Sequence, residues 1–217
     1  MIVDLNLKGN LVIVVGGGNE GLKKVNALLT QDCRILLISD KTNRQIDGYV
    51  AQGKIEFRRM RLASADFIRK YRPFAVLATT DDRELNRKIV QMAKRKRCYA
   101  YAADDPEFSD FAFGSVINIA DTVQIAVSTG GKSPAMARKL RMQAEKVFRK
   151  LITRDDIYQI RLQDFARRQA KGRIETFQER RKFLYRVMND NRIKQLIADG
   201  KLKRAQARVI EMLGEKG

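Results

Sequence analysis

Residues 11–15, Leu-Val-Ile-Val-Val, are an unbroken aliphatic run of mostly β-branched side chains, the pattern of a strand buried on both faces of a parallel sheet. Gly16-Gly17-Gly18 breaks the run, and Leu22, Val25, Leu28 and Leu29 then fall on one face of a helix. Residues 35–38 form a second buried strand, ended by Ser39-Asp40. Residues 41–53 are polar, with turn signals at Asp47-Gly48 and Gln52-Gly53. A short strand is expected at 55–60 and a helix start at Ser64-Ala65-Asp66. Residues 74–79 are another buried strand, residues 82–97 a helix with Leu85, Ile89, Met92 and Ala93 facing the sheet, and 98–103 a further strand. Strands alternating with helices over short connections predict an α/β fold, a Rossmann-type doubly wound parallel sheet.

The pattern changes near Pro106. Residues 111–117 and 122–128 read as a pair of strands, and Ser133-Pro134 as a capped helix start with proline at its first position. Beyond Ala135 only Gly172, Gly200 and the last glycines interrupt a helical pattern. The expected division is therefore a nucleotide-binding domain at 1–112, a small α+β segment at 113–146 and a helical C-terminal domain at 147–217.

Gly16-x-Gly18-x-x-Gly21 follows a strand and opens a helix, which is the setting a dinucleotide fingerprint needs. The first glycine makes the tight turn, the second lets a pyrophosphate approach the backbone, and the third allows close helix–strand packing. Gly16, Gly18, Asn19, Glu20 and Gly21 are thus candidate cofactor contacts at the positive end of the helix. Asp40 ends the second strand, where a carboxylate accepts hydrogen bonds from ribose hydroxyls and repels a 2′-phosphate, so NAD is favoured over NADP. Thr79 and Thr80 lie at the carboxyl end of a strand, where ligands of open α/β sheets sit; cofactor contact and helix capping are both open to this stretch. Asp104 ends the next strand, beside Asp105-Pro106. It reads either as a general base at the same crevice or as part of an Asp-Pro turn. Residues 128–134, Ser-Thr-Gly-Gly-Lys-Ser-Pro, offer hydroxyls, amides and the Lys132 cation as a seat for an anion, but lack the spacing of an NTPase phosphate loop.

Composition removes several classes. The 217 residues contain no histidine, so acid–base work falls on other side chains and a His/Cys zinc site is excluded; no protein metal site is expected. Two cysteines are too few for a disulfide framework and suit a reducing cytoplasm. No apolar run reaches the length of a membrane span, and the first residues lack the pattern of a signal peptide. The net charge of +19 is uneven: residues 1–112 carry 20 basic and 14 acidic groups, the remainder 24 and 11. The excess in the second half suits a polyanion, either nucleic acid or a polycarboxylate, or a solvated basic surface.

Four segments in order resemble the siroheme synthase family. They are Asp4-Leu5, Gly9 and residues 14–18 with Lys23-Lys24; Ala78-Thr79-Thr80-Asp81-Asp82 with Leu85-Asn86; Asp104-Asp105-Pro106 with Phe111-Ala112-Phe113-Gly114; and residues 128–135 with Ala137, Arg138 and Arg141. The resemblance covers residues 1–146 and implies a homodimer that oxidises precorrin-2 to sirohydrochlorin with NAD. In some members iron is also inserted, with Fe2+ as substrate. It also implies that residues 113–146 serve dimerisation, that Asp104 is the catalytic aspartate and that Ser128 lines the tetrapyrrole site. Lys132, Arg138 and Arg141 are then candidate partners for the substrate's carboxylates. A polycarboxylate substrate accounts for the basic second half without nucleic acid. The chain departs from the family at Asn19-Glu20-Gly21-Leu22 and at Tyr101, where an asparagine is common. The alternative from a different class is an NAD-sensing regulatory module whose basic helical tail binds nucleic acid.

Overall fold

Five short strands carry the first half of the chain: β1 (Leu11–Val15), β2 (Arg34–Ser39), β3 (Glu56–Arg59), β4 (Ala75–Ala78) and β5 (Tyr99–Ala102). They pair in parallel in the order β3-β2-β1-β4-β5. The computed structural model describes residues 2–214, and the chain divides into two units, residues 1–114 and 115–217. Alternate side chains of a strand point to opposite faces, and the two faces are separately covered. Ile13, Val15, Leu36, Ile38 and Val76 pack with Phe67 and Ile68 of α3 (Phe67–Tyr71) and with Leu85, Ile89, Val90 and Ala93 of α4 (Arg83–Arg95). Val12, Val14, Ile35, Leu37 and Leu77 pack with Val25 and Leu28 of α1 (Asn19–Leu28) and Ile46 of α2 (Arg44–Ala51). This is the doubly wound sheet expected from the aliphatic runs. Strand order reverses between β1 and β4, so a crevice opens at the carboxyl ends of these two strands.

Helix α2 corrects the reading of residues 41–53 as turns. The Asn43 side chain accepts hydrogen bonds from the Gln45 and Ile46 amides at 3.1 and 3.0 Å, which starts the helix. Only Ile46 of this helix is buried, so the apolar period that marks other helices is missing.

In the second unit β6 (Ser115–Ile119) and β7 (Val123–Val127) form an antiparallel hairpin, and residues 111–114 lie outside it. Ala120 and Asp121 at its turn both have positive φ, 52° and 48°. Arg161 holds that strained turn, its Nη2 donating to the Ala120 carbonyl at 2.8 Å and its Nε to Thr122 Oγ1 at 3.1 Å. Five helices follow: α5 (Pro134–Leu151), α6 (Arg154–Lys171), α7 (Phe177–Asn189), α8 (Asn191–Ala198) and α9 (Leu202–Gly214). Ser133 caps α5 and Thr153 with Asp156 forms a capping box on α6, as the sequence chemistry requires. Helix α5 runs unbroken through residues 146 and 147, where a domain edge was expected, because Gln143-Ala144-Glu145-Lys146-Val147 contains no breaker. Leu162, Ala166, Phe183, Val187, Ile193, Ala205 and Val209 make the core of α6–α9.

Candidate functional site

The glycine turn is shaped by contacts that admit no side chain. Gly16 has φ +107° and its amide donates to the Ile38 carbonyl at 2.9 Å. A Cβ on Gly16 would lie 2.7 Å from the Thr79 carbonyl oxygen, and one on Gly21 would lie 1.9 Å from the Gly16 oxygen. Gly18 is the reverse case: nothing lies within 4 Å of the place a Cβ would take. Gly18 is also the N-cap of α1 and supplies no side-chain cap. The positive end of this ten-residue helix thus begins at an exposed glycine with open space beside it, which suits an anion such as a pyrophosphate. The Glu20 carboxylate is taken by Lys23 Nζ at 2.5 Å. Gly17, which the motif spacing passes over, donates from its amide to Ser39 Oγ at 2.9 Å, tying the turn to the end of β2. Asp40 follows Ser39 and is exposed at the rim.

The two threonines divide. Thr79 is buried and its hydroxyl donates to the Val15 carbonyl at 2.8 Å, so it braces β4 against β1 instead of presenting that hydrogen to a ligand. Thr80 Oγ1 lies 2.7 Å from Asn86 Oδ1 and accepts from the Asp82 amide at 3.2 Å. Asp82 caps α4 through the Leu85 amide at 2.9 Å.

Asn86 organises the carboxylate. It is 1% exposed, on the sheet-facing side of α4. Its Oδ1 also accepts from the Thr80 amide at 3.3 Å; its Nδ2 donates to the Thr80 carbonyl and to Asp104 Oδ1, each at 2.9 Å. Asp104, with its side chain 23% exposed, stands at the carboxyl end of β5 with one oxygen fixed and the other 4.0 Å from Arg83 Nε. Asp105 Oδ1 instead accepts from the Phe108 amide at 3.1 Å and forms the turn. The turn is thus made by Asp105, and the Asp104 side chain is held by Asn86 instead. The Leu85-Asn86 motif does not by itself reveal this role; the signal in the sequence is an amide among the core-facing positions of a helix.

Behind the turn, Lys24 is 8% exposed. Its Nζ lies over the rings of Tyr101 and Phe113, 4.4 and 4.0 Å from their centroids. Burial lowers its pKa to about 8, against the pull of Glu20 and with a push from Lys23. Burial, with Glu20 and Asp104 nearby, raises the Tyr101 phenol.

In the second unit, Ser128 is exposed and its Oγ accepts from the Gly130 amide at 3.1 Å. Gly130 and Gly131 both have positive φ, and Lys132 and Arg138 are exposed beside them. Arg141 is paired with Glu145, which Arg149 also holds at 2.7 Å, so one carboxylate is shared by two guanidiniums. These arginines hold the Glu145 carboxyl below its usual range.

The model of an NAD(P)-binding family matches residues 3–115, and one described as sirohaem biosynthesis protein central matches residues 121–143. The siroheme synthase of Neisseria meningitidis serogroup C is 31% identical over 191 residues, which is 85% of this chain and 37% of that protein. That of Gluconacetobacter diazotrophicus is 37% identical over 145 residues, 66% of this chain and 30% of that protein. The chain thus spans about two fifths or less of the curated relatives it matches. Among solved structures, "SirC, precorrin-2 dehydrogenase" shares the fold with a TM-score of 0.68 at 16% identity, over 97% of this chain and 99% of that one.

Proposed function

Because the chain belongs to the NAD(P)-binding family, and its residues 121–143 match the sirohaem central model, we propose that it oxidises precorrin-2 to sirohydrochlorin. The observation that carries this reading is a carboxylate, Asp104, held by a buried amide at the carboxyl end of β5, on the sheet whose switch point bears an open glycine turn. The oxidation removes a hydride and a proton from the substrate. NAD, when bound, supplies the hydride acceptor. The residues fit that cofactor: the α1 amides at Asn19–Gly21 take the pyrophosphate, Gly18 leaves it room, and Asp40 takes the ribose hydroxyls. Asp104 takes the proton, with Asn86 orienting its carboxylate. Ser128, Lys132 and Arg138 receive the polycarboxylate substrate, and Arg141 acts through its pair with Glu145.

The chain works as a homodimer in this reading. Leu140, Val147 and Leu151 are exposed on α5 at spacings of seven and four residues, forming an apolar seam that a second copy covers. The free thiols Cys33 and Cys98 suit a reducing cytoplasm. Among the described residues no helix is long and apolar enough to cross a membrane.

The test is anaerobic absorbance of precorrin-2 with NAD, following NADH and the product band, then addition of Fe2+ for iron insertion. Asp104→Asn should cut turnover by roughly 10²–10⁴-fold while NADH affinity stays within about twofold. Retained turnover would remove Asp104 from the base role. Binding of NAD with no turnover by the wild type would favour the sensor over the enzyme.

A further inference from the structure

We propose that Lys24 is a positioning residue whose ammonium, clamped on the faces of Tyr101 and Phe113, fixes the cofactor helix against the strand that ends in Asp104; its kinetic consequence rests on the reaction proposed above. Lys24 sits on α1, the helix whose first turn faces the cofactor seat. Tyr101 is on β5, three residues before Asp104. Phe113 closes the unit, meeting Tyr101 edge to face at a centroid distance of 5.2 Å and an angle of 86°, while Phe111 lies 5.9 Å from Tyr101. The amine thus reaches from one half of the site to the other.

The charge has no partner of the ordinary kind. Among the described residues no carboxylate lies within ion-pair distance of Lys24, and Glu20, one turn back on α1, is occupied by Lys23. The groups around the amine are Glu20 and Lys23 on its own helix, the Tyr101 phenol on β5 and the uncharged Phe113 ring. Burying an amine here costs stability that a methionine of similar length would not. Two ring faces offset part of that cost, because their negative quadrupoles attract a cation and do not attract an uncharged amine. The clamp therefore holds while Lys24 is protonated and loosens when it is not. Its value is geometric: small displacements between reacting groups cost rate disproportionately, and Lys24 spans the helix that seats the hydride acceptor and the strand that places the proton acceptor.

The experiment compares wild type, Lys24→Met and Lys24→Arg in turnover, stability and near-ultraviolet absorption across the pH range around about 8. Wild-type kcat should fall as pH rises through about 8. Lys24→Met should lose about tenfold in kcat at neutral pH, keep its KM for NAD within about twofold, and lack that alkaline limb. Lys24→Arg should retain kcat and also lack the limb, because guanidinium stays charged. Lys24→Met should melt no lower than wild type at neutral pH. The folded pKa is depressed below 10.5, so between about 8 and 10.5 the unfolded chain binds more protons and wild-type stability rises with pH; Lys24→Met should lose that rise. A Lys24→Met protein with wild-type kcat and the same pH profile overturns the proposal, as does a lower melting midpoint with an unchanged profile. A tyrosine difference band that titrates near about 8 in wild type and is absent in Lys24→Met reports the clamp without turnover. If that band is present and precorrin-2 is not oxidised, the reaction fails and the clamp stands; if the band is flat, the clamp fails.

Discussion

Asn86→Ala tests how the carboxylate is held. The substitution removes an acceptor for the Thr80 amide and hydroxyl and a donor for the Thr80 carbonyl and Asp104. The three bonds to Thr80, two to its backbone and one to its hydroxyl, are neutral and contribute about 1 kcal/mol each, and the one to the Asp104 carboxylate about 1.5–3 kcal/mol. Thr80 is half-buried, so water recovers part of its share, which leaves an expected loss of about 2–3 kcal/mol. For a unit of this size that corresponds to a melting midpoint lower by roughly 10 °C. Calorimetry measures it, and because the two units can unfold separately the transition that moves should be the one shifted upward by NADH. Turnover should fall about ten- to a hundredfold, because the carboxylate loses its orientation. Asn86→Asp is the control of equal size: it sets a second carboxylate against Asp104, and its defect should ease at acid pH, where one of the two carboxyls takes a proton. A midpoint within about 2 °C of wild type together with unchanged turnover would refute the bracket.

Asp40→Ala should weaken NAD binding about tenfold and narrow the preference over NADP, measured by fluorescence titration with both reduced nucleotides; an unchanged preference removes the ribose contact from Asp40. Val147→Glu places a charge on the exposed seam of α5, where Val147 is 62% exposed, and should convert a dimer to a monomer in sedimentation velocity. A wild-type monomer, or a dimer indifferent to this change, defeats the seam.

The sheet was legible because strands β1, β2 and β4 are aliphatic runs with both faces covered, too short for buried helices, with β-branched residues prominent in β1 and β2. Helix α2 was not, because a helix that buries one side chain has no period to read. The glycine turn was legible through its spacing, while Gly17 and Ser39 were not, since their bond joins ends of two strands 22 residues apart. The role of Asn86 depends on α4 lying against the end of β5, a tertiary fact no local pattern contains. The type and position of Arg141 suit a substrate carboxylate, and the structure adds a glutamate one turn along the same helix as its partner. Lys24 stands in the sequence as one of a lysine pair with no role of its own, because nothing in α1 alone announces the rings of β5 and the segment after it.

The separation of Asp104 from Asp105 follows from how the sheet's edge is closed. β5 is an edge strand, and its outward amides would otherwise be free to pair with another chain. The loop after it turns back to supply acceptors: Ser109 Oγ takes the Ala102 amide and Asp110 Oδ2 takes the Ala100 amide, each at 2.9 Å. That return needs a sharp turn at once, and Asp105 makes it, accepting from the Phe108 amide with its side chain and from Ser109 Oγ at 2.9 Å with its carbonyl. Asp105 is committed to closing the edge, so the carboxylate left over the crevice is Asp104, where Asn86 can reach it. The same loop carries the chain to Phe111 and Phe113, the rings that meet Tyr101 and, at Phe113, cover Lys24. Protection of an edge, placement of a carboxylate at the crevice and burial of an amine are therefore consequences of one short return, which is why adjacent acids in the sequence have different partners in the fold.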